Sequence, residues 1–124
     1  MGNVASLLLV AAILPYCAAI AAKAGGQAFD NNSPRGWLAA QAGWRGRANA
    51  AQANLFEGLP FFYAAVLFAL YAGASPERLA ALMLAWVLVR VLYIIAYILG
   101  RGTIRSFIWG GALVLNLMIL FAAA

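Results

Sequence analysis

Four apolar stretches, Val4 to Ala22, Leu55 to Ala72, Leu79 to Leu99 and Phe107 to Phe121, decide what this chain can fold into. Each is close to the ~20 residues that an α-helix needs to cross the hydrocarbon layer of a bilayer. Within that layer every backbone N–H and C=O must be satisfied internally, which leaves only helices and closed barrels. The runs are continuously apolar and do not alternate, so a barrel is excluded. Of the 124 residues, 67% are hydrophobic and 9% charged, against about half and a quarter in a soluble domain. The expected fold is all-α, an integral membrane four-helix bundle forming a single domain over residues 1–124, with no internal repeat.

The small residues Ala18, Ala19, Ala21 and Ala22 could serve a signal-peptide cleavage site, but no Lys or Arg precedes the first stretch. It is expected to be retained as a helix. Cys17, the only cysteine, lies inside that helix and reads as a structural, packed thiol. A net charge of +5 is spread over loop ends and not massed in a basic segment, so no nucleic-acid partner is expected. Orientation is the better use of these charges. Lys23, Arg35, Arg45 and Arg47 in the first loop, with Arg101 and Arg105 in the third, stand against Arg78 alone in the second. By the positive-inside rule, residues 23–47 and 100–106 are cytoplasmic and both termini lie on the far side. Trp37, Trp44 and Trp109 are expected near the cytoplasmic boundary.

Two segments break the hydrophobic pattern. The first loop contains Gly25, Gly26, Asp30, Asn31, Asn32, Ser33 and Pro34, followed by a short interfacial helix expected from Trp37 to Trp44. At the start of the second spanning helix, Asn49, Gln52, Asn54 and Glu57 interrupt a lipid-soluble run. The third helix is expected to open at Pro76 with Ser75 as its N-cap, and to end at Gly100 and Gly102. Metal ligation is not expected.

The interruptions form stripes. Arg47, Asn54 and Glu57 are spaced by seven and three residues, which at ~100° per residue keeps them within about 80° of one another. Arg90, Tyr93 and Tyr97, spaced by three and four, share a face of the third helix. Glu57 lies ~15 Å along the helix from Arg47, and Arg90 ~16 Å from Arg101, so the two reach a similar depth. An ionised side chain facing lipid at that depth costs several kcal/mol. Glu57 and Arg90 are therefore expected to face each other in a polar cavity entered from the cytoplasm. One reading makes them a buried ion pair that fixes helix register, with Asn54 as an interhelical hydrogen-bonding group. The other makes the patch a binding site for a partly anionic ligand, because Arg47, Arg90, Arg101 and Arg105 outnumber Glu57. Pro15 and Pro60 read as kinks, and Asn116 as a packing contact.

The run from Arg47 to Phe62 carries Asn54-x-x-Glu57-x-x-Pro60. Together with Arg90-x-x-Tyr93-x-x-x-Tyr97 and Ile104-Arg105-Ser106, it resembles the MAPEG family, the membrane-associated proteins of eicosanoid and glutathione metabolism. The segment Asp30 to Arg35, followed by Gly43-Trp44-Arg45, is similar to its bacterial, largely uncharacterised branch. The resemblance implies a homotrimer of four-helix subunits in a bacterial inner membrane, with periplasmic termini and glutathione bound between neighbouring subunits. It implies a membrane-bound glutathione transferase or glutathione-dependent peroxidase, with glutathione as co-substrate and a lipophilic electrophile or lipid hydroperoxide as partner. By resemblance Glu57, Asn54, Arg90 and Tyr97 hold the tripeptide, with Tyr93 one turn before Tyr97. Arg105 polarises the thiol, with Ser106 beside the sulfur.

The chemistry suits the residues, because arginines and Glu57 can pair with the two carboxylates and the ammonium of glutathione. A guanidinium beside sulfur lowers the thiol pKa from near ~8.5. The sequence departs from several eukaryotic members in carrying Ala50, two turns before Glu57, where they have an arginine. Arg47 is the candidate to reach that carboxylate instead. The turn before Arg105 is a residue shorter than in some relatives, so Arg101 and Arg105 both stand as candidates at the thiol. Two other classes remain: a small proton-coupled multidrug transporter, which would need an essential charge in the first helix, and a non-catalytic subunit of a membrane complex.

Overall fold

The computed structural model describes residues 1–124 and is all-α. Four long helices, α1 (Gly2–Lys23), α3 (Gly43–Tyr71), α4 (Pro76–Ile98) and α5 (Gly102–Leu120), are each long and apolar enough to cross a membrane. A short helix, α2 (Pro34–Ala39), lies between the first two of them. Only 27 of 124 residues are buried, and Leu9, Ile20, Leu67, Phe68, Leu92 and Phe107 stand among many exposed large apolar side chains. Such a surface matches a lipid solvent and would aggregate in water.

Alanine faces hold the bundle together. Ala11, Ala18 and Ala22 of α1, and Ala48, Ala51, Ala65 and Ala69 of α3, are at most 1% exposed. Small side chains let helix backbones approach closely where lipid supplies no hydrophobic drive. Tyr63 donates from its hydroxyl to the Leu8 carbonyl at 2.9 Å, tying α3 to α1. Between α3 and α4, the rings of Phe62 and Trp86 stack with centroids 3.8 Å apart. Four chain segments thus share one core, although α5 buries only Ala112, Asn116 and Ile119.

The 29-residue α3 is about 43 Å long, more than the ~30 Å hydrocarbon layer. Its first turns therefore stand outside lipid, and there Arg45 and Arg47 act as caps for other helices. Arg45 Nη1 donates to the Ala22 carbonyl at 3.0 Å, and Arg47 Nε to the Ile98 carbonyl at 3.0 Å. Each guanidinium meets orphan carbonyls at a helix C-terminus, where the helix dipole also favours a cation. Gly100 turns the chain between α4 and α5 at φ 73°, and a Cβ there would stand 3.5 Å from Arg47 Nε.

Several boundaries differ from the sequence expectation. The interfacial helix covers Pro34–Ala39 and not Trp37 to Trp44, because Pro34 presets its first turn and the chain breaks over residues 40–42 before Gly43, at φ 61°, opens α3. Trp44 accordingly belongs to α3. Gly102 opens α5 instead of closing α4, so Arg105 and Ser106 lie in the first turns of a helix. Cys17 is exposed on the outer face of α1 and not packed in the core. Ser75 does cap α4, its Oγ accepting from the Arg78 N–H at 3.2 Å. Pro15 and Pro60 both lie inside helices.

Candidate functional site

Glu57 and Arg90 each stand about 21 Å along their helices from the tight turn that joins α3 to α4, and so at one level. They line the same cavity, of about 210 Å³, together with Asn54, Gly58, Trp86 and Asn116. They share a cavity as expected, but the ion pair of the first reading does not form. Arg90 Nη2 donates to the Asn54 carbonyl at 3.2 Å and to Asn54 Oδ1 at 3.0 Å, while Glu57 is exposed on the outer side of the bundle. The reason is local, since Gly58 leaves room for the guanidinium against α3, where a Cβ would stand 3.3 Å from Arg90 Nη2.

Arg90 is 2% exposed, and aromatic faces take the place of a carboxylate. Its guanidinium carbon lies 4.6 Å from the Tyr93 ring centre and 5.7 Å from that of Trp86. The series continues outward. Tyr93 meets Tyr97 edge to face at 5.7 Å, and Arg105 sits 4.3 Å over the Tyr97 ring. Trp86, Arg90, Tyr93 and Tyr97 recur at spacings of four, three and four, so one face of α4 carries the row and α5 supplies its last cation.

Three adjoining chambers follow this row. The deepest is the cavity around Arg90 and Glu57. A second, of about 280 Å³, is lined by Asn54, Tyr93, Tyr97, Arg105, Ser106 and Trp109. A third, of about 100 Å³, is lined by Arg47, Tyr97, Arg101 and Arg105 together with the Gly100 turn. Asn54 and Trp109 belong to the first two, and Tyr97 and Arg105 to the last two. Arg47, Asn54, Glu57, Arg90, Tyr93, Tyr97, Arg101, Arg105 and Ser106 therefore each line one of the three, whereas Asn49 and Gln52 line a separate cavity with Arg35 and Phe56.

Their distribution differs from the expected stripe in one respect. Arg47 is drawn to the Ile98 carbonyl and lies with Arg101 and Arg105, away from Glu57. Ser106 faces the second chamber, but its hydroxyl proton is engaged by the Gly102 carbonyl at 3.1 Å. The row opens outward, since Glu57, Phe61 and Trp109 are exposed on the single chain. Chemically, the band offers guanidinium groups for anionic oxygens, a carboxylate for a cation, and an apolar flank toward lipid.

Sequence reasoning missed Trp86, took Asn116 for a packing contact, and gave Trp109 no part in the site. Trp86 precedes Arg90 by one turn on the same face, a spacing that could have revealed it. Asn116 is a buried wall of the deepest chamber, and a polar residue in an otherwise apolar helix was its signal. Trp109, expected at the membrane boundary, lines two chambers; α5 is thus part of the site and not only lipid-facing packing.

The model of the MAPEG family matches residues 3–124. None of the curated proteins and none of the solved structures gives a significant match.

Proposed function

Since the chain belongs to the MAPEG family, whose members are glutathione-dependent transferases and peroxidases, we propose that it is a membrane-bound glutathione transferase or glutathione-dependent peroxidase acting on lipophilic substrates. The observation that carries this reading is the row of arginines seated on aromatic rings around adjoining chambers, with Arg90 and Arg105 supplying positive charge at two of them. A tripeptide with two carboxylates, one ammonium and one thiol has charges to match such a row.

In this reading Arg105 stands at the sulfur and favours the thiolate, the proton leaving to water. Ser106 is the secondary candidate there; it would have to release the Gly102 carbonyl to donate to sulfur. Asn54, Glu57, Arg90, Tyr93 and Tyr97 hold the peptide, while Arg47 and Arg101 offer charge to its remaining carboxylate. For a transferase the thiolate sulfur attacks an electrophilic carbon, forming a C–S bond as the leaving group departs with its electron pair. For a peroxidase two glutathione molecules reduce one hydroperoxide to alcohol and water and become the disulfide. The lipophilic partner reaches the thiolate laterally from the bilayer, between helices.

The outward opening of the row supports a homotrimer in which a neighbouring subunit closes the site. The arginine-rich loops support a cytoplasmic position for residues 23–47 and 100–106, in a bacterial inner membrane with periplasmic termini. The test is turnover by detergent-purified protein, with glutathione and either an aryl halide or a fatty-acid hydroperoxide as partner. Conjugation or peroxide reduction well above the no-protein rate is expected with at least one. The reading is lost if neither is turned over by folded protein that binds glutathione.

A further inference from the structure

A groove at the other end of the bundle has no part in the arginine row. α1 and α4 run in the same direction, and their first turns lie side by side. Asn3, Ser6 and Leu7 of α1, with Glu77, Ala81 and Leu84 of α4, line a cavity of about 490 Å³, within the ~300–1,000 Å³ of small-molecule sites. Glu77 stands twenty residues before Tyr97 on α4, or ~30 Å away. The groove is therefore remote from the candidate thiol.

Its lining is sorted by depth. Asn3, Ser6 and Glu77 make one end polar, and Leu7, Ala81 and Leu84 make the other apolar; Glu77 and Leu84 are separated by ~10 Å of helix. The 23 residues of α4 span ~34 Å, just over the ~30 Å hydrocarbon layer, so Glu77 near its start stands where head groups meet acyl chains. Beyond the groove, Leu84, Leu88 and Leu92 are exposed at spacings of four and continue one apolar track along α4.

The charges select the occupant. Glu57 shares its cavity with Arg90, whereas no arginine or lysine lines the groove of Glu77. A lipid of net negative charge would meet a carboxylate there and no cation. No aromatic ring lines the groove either, and aromatic faces are what ordinarily hold a quaternary ammonium. A primary ammonium can donate N–H bonds to the carboxylate, while the Asn3 amide and Ser6 hydroxyl can donate to phosphate oxygens. We propose that this groove holds an ethanolamine phospholipid of the surrounding bilayer, its ammonium on Glu77, its phosphate on Asn3 and Ser6, and one acyl chain along Leu84 and Leu88. Seated so, the lipid bridges the first turns of α1 and α4.

The experiment is native mass spectrometry of the full-length protein in detergent, titrated with dioleoyl phospholipids that differ only in the head group: ethanolamine, choline or glycerol. The ethanolamine lipid should bind at least about tenfold more tightly than either of the others, the gain expected from one charge-assisted hydrogen bond. Glu77→Gln keeps the size of the side chain and removes its charge, and should bring the ethanolamine lipid to the affinity of the choline lipid. Ala81→Phe, at an exposed position of the groove, keeps the charge but fills the space, and should weaken the ethanolamine lipid as well. Ser75 caps α4 in both variants, and circular dichroism verifies that each is folded.

Equal affinities for the three lipids in the unaltered chain would overturn the inference. So would tightest binding of the anionic glycerol lipid, which would mean that the arginines and not Glu77 choose the head group. An ethanolamine preference that survives in folded Glu77→Gln, or in folded Ala81→Phe should the first variant misfold, would place the lipid elsewhere and remove the groove as its site.

Discussion

Arg105→Ala is expected to abolish the ultraviolet thiolate absorbance of bound glutathione and to lower kcat roughly 100-fold or more, with a smaller change in KM for glutathione. Arg105 lies in the first turns of α5, its guanidinium 4.3 Å over the Tyr97 ring, and it lines the chamber that also holds Ser106 and Asn54. A cation fixed there stabilises a developing anion without reorganising, and removal of one such group from a water-poor site typically costs 10²–10³ in kcat. The pKa of a thiol near ~8.5 also leaves little thiolate at neutral pH without help. Arg105→Lys should restore part of the absorbance, since charge is kept while the planar fork is lost. Arg101→Ala is the control. Arg101 is exposed and lines only the outer chamber, so it should alter glutathione affinity and leave the thiolate signal in place. Absorbance and kcat unchanged in Arg105→Ala would remove this residue from the thiol.

The second large effect concerns Arg90. Replacement by methionine should weaken glutathione binding at least about 30-fold, the lower bound for truncating one member of a buried, hydrogen-bonded charge pair. The same replacement should leave the ligand-free protein as stable as before or more so. Arg90 is 2% exposed and has no carboxylate partner; its contacts are Asn54 and two aromatic rings. A buried charge without an ionic partner carries a desolvation cost that an apolar side chain of similar volume does not. Thermal unfolding in detergent, followed by circular dichroism, separates the two roles of this residue. A steep loss of stability in Arg90→Met would make it a fastener of helix register, and a stable protein with lost binding makes it part of a site.

That distinction was already drawn from the residues alone, and the geometry shifts its terms. An ion pair with Glu57 was one of the two readings, because both residues are charged, lie at one depth and occupy facing stripes. Stripes computed at 100° per residue give a face and a depth but not the reach of a side chain. The room beside Gly58 and the carbonyl of Asn54 are properties of two packed backbones, invisible in either helix alone. Arg47 misled for a related reason. Its position on the stripe is correct for a helix, yet the orphan carbonyl of Ile98 captures it across the α4–α5 turn, and no spacing rule reports where another helix ends.

The bundle itself was legible because lipid imposes a simple length requirement, which four stretches satisfy. The boundaries were not, because a helix such as α3 continues beyond the hydrocarbon once its polar turns find partners in solvent or on other helix ends. Asn116 and Trp86 stayed hidden as an asparagine among packing residues and a tryptophan among apolar ones. Their place in the wall of the deepest chamber appears only when the surrounding side chains are assembled.

The central claim is that the row of arginines on aromatic rings is a glutathione site. Isothermal titration of the detergent-purified, unaltered protein with glutathione, with thiolate absorbance read on the same sample, tests it most directly. Saturable heat accompanied by a thiolate band that is absent from glutathione alone is the result expected. Folded protein that gives neither heat nor a thiolate band would contradict the account.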